Sequence, residues 1–187
     1  MGLRKWRLVS KVDVSPSEWF PVEQRSYLLP DERLVDDFFV TTLADSVNVI
    51  AITRDKKVVL IRMYKPGIDE IMIQFPAGRF EGKHKSIVDA EVQELEEETG
   101  IKVSKEEMVF VGKLALMTTK ATEAAHYYLV TDVSFNSQQN LDEDEEIEVL
   151  TLDPKEVDLY IKEGKIWDAP CIAGWELAKK KFGKLFV

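Results

Sequence analysis

The strongest constraint on the fold of this chain is a densely acidic segment, residues 93–101, that ends in a glycine and an isoleucine. At about 100° per residue, an α-helix places Glu94, Glu97 and Glu98 on one face, within roughly a 120° arc. Glu91, one turn earlier, joins the same face. The spacing therefore predicts a helix with one strongly acidic face.

The opposite face of this helix is apolar. Val88, Val92 and Leu95 recur at i, i+4 and i+7, which is the spacing of a face that packs against a core. Gly100 predicts the end of the helix, because glycine readily adopts the left-handed conformation that follows a helix. The segment is thus expected to pack on one side and to carry its charges on the other.

Two interpretations of the acidic face are open. Like charges on adjacent turns destabilise an isolated helix by about a few tenths of a kcal/mol per pair. A chain that concentrates them favours a bound cation, and oxygen ligands of high charge suit a hard ion such as Mg²⁺. Alternatively, the face is only solvated, as most acidic helix faces are.

Composition limits the classes of function. The formal net charge is −9 at pH 7, which argues against nonspecific nucleic-acid binding because that needs a basic surface.

The single cysteine, Cys171, excludes an internal disulfide, fits a reducing compartment and is expected to be a small buried side chain. No apolar run reaches the length of a membrane span, and no hydrophobic signal core follows the basic N-terminus. We therefore expect a cytoplasmic protein with no membrane partner.

The remaining pattern predicts two regions. Residues 1–42 contain short strands separated by turns, which predicts a small N-terminal β-sheet extension. Residues 43–187 mix strands with a few helices, which fits the α/β class and an α/β/α sandwich around a mixed sheet. The expected strands are 47–52, 58–64, 71–75, 108–116, 127–133 and 147–152, and the expected later helices are 154–162 and 169–182. Ser86 or His84 can cap the acidic helix.

Residues 78–101 resemble the Nudix box, whose pattern is G-x5-E-x7-R-E-U-x-E-E-x-G-U with U apolar. The C-terminal half of the box matches at Glu94, Leu95, Glu97, Glu98, Gly100 and Ile101. The N-terminal half departs from the pattern, because Gln93 occupies the arginine position and the loop counted from Gly78 is one residue too long. The first glutamate position falls near residues 83–85, unless Glu81 substitutes for it. In the family, that glutamate and the arginine help brace the loop against the helix.

The resemblance extends over nearly the whole chain and is to the ADP-ribose pyrophosphatase branch, a group acting on nucleoside diphosphate sugars. Four segments carry it, and they occur in the same order along the chain. They are 62–66, similar to R-Q-Y-R-P; 74–79, similar to a segment containing E-L-P-A-G; 143–149, similar to an acidic loop and strand; and 163–169, similar to a G-x-I-x-D/N-A join. Met63, Lys65 and Gln74 differ from the residues usual there, which leaves substrate contacts open.

The resemblance implies hydrolysis of a diphosphate bond with Mg²⁺ or Mn²⁺, giving a nucleoside monophosphate and a sugar phosphate. The metal ligands it implies are Ala77 (through its carbonyl), Glu94, Glu97 and Glu98. Glu97 also counts among the catalytic groups. The base that deprotonates water belongs to the acidic loop, where Glu143 and Glu145 are both candidates. The alternative for this loop is a solvated run of charge.

The candidates for substrate contact are Arg62, Arg79, Glu123, Trp19, Phe20 and Tyr27. The two arginines can pair with phosphates through their guanidinium groups, although a surface ion pair is an equal alternative for Arg62. By resemblance, one of the three aromatic rings stacks on the base; alternatively, each belongs to a core. His126 is expected to be structural. The branch forms homodimers through the N-terminal sheets, so the resemblance also implies a homodimer.

The resemblance therefore implies a Nudix hydrolase of the ADP-ribose or nucleoside diphosphate sugar type. One alternative is a Nudix-fold module that binds a nucleotide and hydrolyses it weakly or not at all, because Gln93 and the loop depart from the box. A decapping enzyme conflicts with the acidic composition. A housecleaning triphosphatase is usually a shorter chain without the N-terminal sheet.

Overall fold

The computed structural model describes residues 2–80, 84–143 and 145–186. The chain divides into two compact units. The first, here called the N-terminal unit, comprises Met1–Asp45 and Ala115–Ala124. The second, here called the sheet unit, comprises Ser46–Leu114 and Ala125–Val187. A short segment from the middle of the chain therefore belongs with the N-terminal residues.

The N-terminal unit is built on a three-stranded antiparallel sheet in the order β1–β2–β3. Its strands are β1 (Arg7–Asp13), β2 (Val22–Leu28) and β3 (Leu34–Thr41). Residues 115–124 attach to the end of β3, where the Thr41 N–H donates to the carbonyl of Lys120 and the Thr41 carbonyl accepts from Thr122. The predicted small N-terminal sheet is confirmed.

The described residues of the sheet unit form a seven-stranded sheet with three α-helices. The strands are β4 (Ser46–Thr53), β5 (Val58–Lys65), β6 (Glu70–Gln74), β7 (Ala77–Arg79), β8 (Val109–Ala115), β9 (Ala124–Val133) and β10 (Ile147–Leu152). The helices are α1 (Ile87–Thr99), α2 (Pro154–Lys162) and α3 (Ala169–Phe182), with 3₁₀ turns at Lys105–Glu107 and Gly183–Leu185. The strand order is β10–β5–β4–β9–β8, with β6 paired to β5 and β7 to β4. The sheet is mixed, because β4 runs parallel to β9 and antiparallel to β5.

Helices cover both faces of this sheet. Successive side chains of a strand point to opposite faces, and β4 is buried on both. Val49 packs in the cluster that contains Leu95 of α1. Ile50 packs in the cluster that contains Val157 of α2 and Trp175 of α3. The predicted α/β/α sandwich with a mixed sheet is confirmed.

The ends of α1 follow the predicted signals. Ser86 is the N-cap, and its Oγ accepts from the Asp89 N–H at 3.3 Å, so Ser86 rather than His84 caps the helix. Gly100 ends the helix at a φ of 72°, and its N–H donates to the carbonyl of Glu96. These local interactions set both the length of α1 and the direction in which its side chains point.

One segment near α1 differs from the sequence prediction. Residues 77–79 lie outside the strands that the sequence predicts, and they form the short strand β7. β7 pairs antiparallel with β4, with Ser46 opposite Arg79 and Asn48 opposite Ala77. Three residues are too few for an alternating pattern to show, so only the pairing with a distant strand reveals this element.

The composition-based expectations concern burial and membranes. Cys171, on α3, is 1% exposed and packs in the core cluster that contains Val157 of α2, as expected for a small buried side chain. Among the described helices, none is long and apolar enough to cross a membrane.

Candidate active site

Helix α1 carries its glutamates to the strand β7. Val88, Val92 and Leu95 pack against the sheet, which confirms the predicted apolar face. Glu98 Oε2 accepts a hydrogen bond from the Ala77 N–H at 2.8 Å, and Glu98 is 3% exposed. The Glu98 carboxylate therefore lies at the residue whose carbonyl is the expected metal ligand.

Glu94 lies against the next residue of β7. A Cβ atom added to Gly78 would stand 2.0 Å from the carboxyl carbon of Glu94, which is far inside van der Waals contact. Any side chain at position 78 would therefore displace the Glu94 carboxylate from its present position. Glu94 and Glu98, one turn apart on α1, therefore both contact β7, the short strand that contains Ala77.

The charges around Glu98 are mostly negative. Burial raises the pKa of Glu98 to about 8, although the hydrogen bond from Ala77 lowers it. The charges of Glu94 and Glu145 raise the same pKa, and the charge of Lys65 lowers it. A carboxyl group in this environment ionises at neutral pH only with help from positive charge.

Lys65, at the end of β5, is a positive group close to Glu98 and Glu145. Burial lowers the pKa of Lys65, while the charges of Glu98, Asp168 and Glu145 raise it and that of Arg79 lowers it. Asp168 is the N-cap of α3, and its Oδ2 accepts from the Cys171 N–H at 2.7 Å. Burial also raises the pKa of Asp168.

Sequence reasoning did not assign Lys65 or Asp168 to the site. A signal for both was present, because they lie in the segments 62–66 and 163–169 that resemble the pyrophosphatase branch. Neither residue type nor spacing shows that the end of β5 and the start of α3 meet beside α1.

Glu91 is the most deeply buried carboxyl group of α1. It is 0% exposed, and neither of its oxygens has a hydrogen-bond partner in the described part of the chain. Burial raises the pKa of Glu91 well above its usual range, and the charges of Glu94 and Glu98 raise it further. A merely solvated face is therefore wrong for Glu91 and Glu98, because both side chains are buried.

Glu97 has a different partner from its neighbours. Its Oε1 accepts a hydrogen bond from Nε2 of Gln93 at 2.9 Å, one turn earlier on α1. Gln93, which stands at the arginine position of the box, thus still holds a glutamate of the motif. The other altered position cannot be described, because Glu81 lies outside the described residues.

The two base candidates of the acidic loop lie in different surroundings. Glu143 is exposed in a turn. Glu145 is half-buried, accepts from the Asp142 N–H at 3.2 Å and is close enough to Glu98 to raise its pKa. The structure therefore brings Glu145 to the carboxylates of α1, whereas the surroundings of Glu143 match a solvated run of charge. Asp144, between them, lies outside the described residues.

The two arginine candidates also differ. Arg62, on β5, forms an ion pair with Glu148 on the neighbouring strand β10, which is the surface ion pair weighed as its alternative. Arg79, on β7, is exposed, and its charge acts on Lys65. Arg79 is thus the arginine that lies with the site residues.

The remaining candidates, Trp19, Phe20, Tyr27 and Glu123, belong to the N-terminal unit. Tyr27 packs edge-to-face with Phe38 at a ring separation of 5.7 Å, beside a cavity of about 300 Å³. Trp19 is 81% exposed and Phe20 is 51% exposed, so neither is a core residue. Glu123 is half-buried in the loop before β9. In the sheet unit, His126 is buried within β9, as a structural histidine would be.

The oxygen atoms that α1 and β7 bring together are the kind of ligand that a hard divalent cation prefers. Glu94, Glu98 and the Ala77 carbonyl offer oxygen atoms, and the buried oxygens of Glu91 lack a protein donor among the described residues. In that same part of the chain, no three acidic, histidine or cysteine side chains are already gathered around one point. Mg²⁺ is usually held by one or two carboxylates and several waters, so the paired carboxylates are compatible with it.

Comparisons with known proteins give a consistent result. The NUDIX domain model matches residues 42–174. The methanol dehydrogenase activator of Bacillus methanolicus is 34% identical over 128 residues, which are 68% of each chain. The ADP-ribose pyrophosphatase of Bacillus subtilis (strain 168) is 27% identical over 128 residues, which are 66% of each chain. A solved structure titled "Crystal structure of ADP compounds hydrolase" has the same fold, with a TM-score of 0.83 over 98% of this chain and 97% of the other, at 19% identity.

Proposed function

Since this chain belongs to the Nudix hydrolase family, we propose that it hydrolyses the diphosphate bond of ADP-ribose or a related nucleoside diphosphate sugar with Mg²⁺ or Mn²⁺. The observation that carries the proposal is the pair of carboxylates, Glu94 and Glu98, that lies against Ala77 and Gly78. The similarity to a bacterial ADP-ribose pyrophosphatase supports the choice of substrate class.

In this proposal, the residues of the sheet unit have three roles: metal binding, proton transfer and orientation of the substrate. Glu94, Glu98 and the Ala77 carbonyl would hold the cation, and Glu97 would join them if its hydrogen bond to Gln93 opened. A bound divalent cation supplies neutralisation of the diphosphate charge and Lewis acidity at the phosphoryl group.

Proton transfer and substrate orientation fall to other side chains. Glu145, beside Glu98, accepts the proton of the attacking water, and Glu143 is the second candidate for this role. Lys65 and Arg79, whose charges act on one another, orient the diphosphate oxygens. Arg62 contributes only when its ion pair with Glu148 opens. Products are a nucleoside monophosphate and a sugar phosphate.

The contacts to the base and sugar are assigned to the N-terminal unit. Tyr27 is favoured for stacking because it already lies in a group of aromatic rings beside a cavity. Trp19 and Phe20 are the exposed alternatives, and Glu123 is the polar candidate. The protein is proposed to act in the cytoplasm as a homodimer.

The test is the release of AMP from ADP-ribose by the purified chain with Mg²⁺. Glu98→Gln is expected to lower the rate by about 100-fold or more, because it removes a ligand charge while keeping the shape of the side chain. Glu96→Gln is the matched control, since Glu96 on the same helix is held by Ser137 and Lys102 instead. An unchanged rate in Glu98→Gln would contradict the assignment. Tight binding of sugar nucleotides without turnover would favour the nucleotide-binding module.

A second candidate function is the activation of a dehydrogenase. It is favoured by the 34% identity to the methanol dehydrogenase activator. A methanol dehydrogenase assayed with and without this chain and Mg²⁺ tests it. Activation that Glu98→Gln abolishes would join the two functions, and activation that survives this change would separate them.

A further inference from the structure

We propose that Glu91, which lies outside the Nudix box ligands, binds a divalent cation together with Glu94, one turn before the Glu94–Glu98–Ala77 site. This inference rests on the proposed function, because it assumes that α1 holds divalent cations. It adds a ligand that the box pattern does not contain.

The first step of the argument is the burial of Glu91. The residue is 0% exposed, yet both carboxylate oxygens lack a hydrogen-bond partner in the described part of the chain. Buried polar groups in proteins are nearly always hydrogen-bonded, and an ionised carboxylate buried without a partner is strongly destabilising. An apolar residue of similar size would fill this place at less cost. The two oxygens therefore need a partner other than the protein atoms around them.

The second step is the position of Glu91 on α1. Side chains at i and i+3 are neighbours on a helix, with Cβ atoms about 5–6 Å apart. Glu91 thus lies one turn before Glu94 and, at i+7, nearly in line with Glu98. The electrostatic environment agrees, because the groups whose charges act on Glu91 are Glu94 and Glu98.

The third step excludes an ion pair with a basic side chain. No salt bridge between Glu91 and a lysine, arginine or histidine is formed within residues 2–80, 84–143 and 145–186. Tyr128, on the facing strand β9, is near enough for its pKa to be raised by burial and by Glu91, but it donates no hydrogen bond to Glu91. Glu91, which has no basic partner in the described part of the chain, and its neighbour Glu94 match the one or two carboxylates with which Mg²⁺ is usually held.

The test is a Mn²⁺ titration of the metal-free protein, followed by electron paramagnetic resonance, without substrate. Glu91→Gln is expected either to remove one Mn²⁺ equivalent or to weaken one Mn²⁺ site at least about tenfold. Glu96→Gln, on the same helix but held by Ser137 and Lys102, should titrate like the wild type. A Glu91→Gln titration that matches the wild type overturns the inference.

Thermal melting provides a second readout that does not depend on the first variant alone. In EDTA, Glu91→Met should melt at or above the wild-type temperature, because an apolar side chain of similar size replaces an unpartnered buried acid, and Glu91→Gln should melt close to the wild type. On addition of Mg²⁺, the wild type should gain more in melting temperature than either variant. An equal gain in all three proteins counts against a cation at Glu91.

Glu98→Gln separates this inference from the proposed function. If the wild type binds Mn²⁺ and Glu98→Gln weakens it while Glu91→Gln does not, only the role of Glu91 fails. If the wild type binds no Mn²⁺, the proposed metal-dependent hydrolysis fails as well. Turnover measured in parallel then shows whether the cation at Glu91 affects the rate.

Discussion

At the residue scale, glutamates that are adjacent in sequence have different surroundings. Glu97 is half-buried and hydrogen-bonded to Gln93, whereas Glu98 is buried and bonded to the backbone of Ala77. Adjacent residues of an α-helix are rotated by only about 100° around its axis, yet Glu97 contacts Gln93 while Glu98 contacts β7. The sequence pattern predicts the same metal-binding role for Glu97 and Glu98, but in the structure the two carboxylates have different partners.

Gly78 provides a prediction at this scale. Gly78→Ala is expected to lower Mg²⁺-dependent AMP release by about 100-fold, because a Cβ atom at this position would stand 2.0 Å from the Glu94 carboxyl carbon and small displacements of catalytic groups are costly. Gly67→Ala is the control, since a Cβ there meets nothing within 4 Å. Steady-state rates at several Mg²⁺ concentrations measure both. Equal rates for the two variants would show that the position of Glu94 is unimportant.

At the scale of elements, α1 holds the site because both of its ends are anchored. Ser86 caps its start, and Gly100 ends it in a left-handed conformation next to residues 136–138. The N–H groups of Asn136 and Ser137 donate to the carbonyl of Gly100, so the segment that leads to the acidic loop is tied to the end of the helix.

This arrangement predicts that two glycines of similar conformation differ in their tolerance of alanine. Gly100→Ala combines a φ of +72° with a Cβ only 2.8 Å from the Ser137 carbonyl oxygen, so we expect a loss of about 2 kcal/mol or more in unfolding free energy. Gly164→Ala shares the conformation, at a φ of +73°, but meets nothing within 4 Å, so about 1 kcal/mol is expected. Urea denaturation compares the two. Equal losses would mean that the contact with Ser137 relaxes freely.

At the scale of the whole molecule, the sheet of the N-terminal unit has an exposed edge strand, β1. Every residue of β1 is exposed, and Val12 is 60% exposed. Exposed edge strands with apolar side chains favour pairing with another chain. The proposed homodimer gives this strand a partner.

The homodimer is therefore expected to depend on β1. Val12→Lys should shift the protein from dimer to monomer in light scattering at micromolar concentration, because it puts a charge into the proposed contact. Val109→Lys is the matched control, since Val109 lies on β8 of the sheet unit and is 47% exposed. A wild type that is already monomeric would contradict the dimer, and equal dissociation in both variants would contradict the role of β1.

Much of the secondary structure could be predicted because its causes are local. The apolar spacing and the caps of α1, the hairpin of β4 and β5, and the starts of α2 and α3 each depend on residues within a few positions of one another. The same local pattern of glutamates, glycine and isoleucine identified the family. Such signals depend only on residues that are close together in the sequence, so they can be found without knowing which distant residues are in contact.

The chemistry of the site depends on contacts between residues far apart in the chain. Glu98 bonds to Ala77 across 21 positions, and Lys65 and Asp168 meet the same cluster from the ends of β5 and α3. Whether a carboxylate is solvated, hydrogen-bonded or buried without a partner is set by what the folded chain packs around it. Glu91 and Glu97 are both glutamates of α1. Glu97 bonds to Gln93 one turn earlier on the same helix. Only tertiary packing buries Glu91 and leaves it without a hydrogen-bond partner among the described residues.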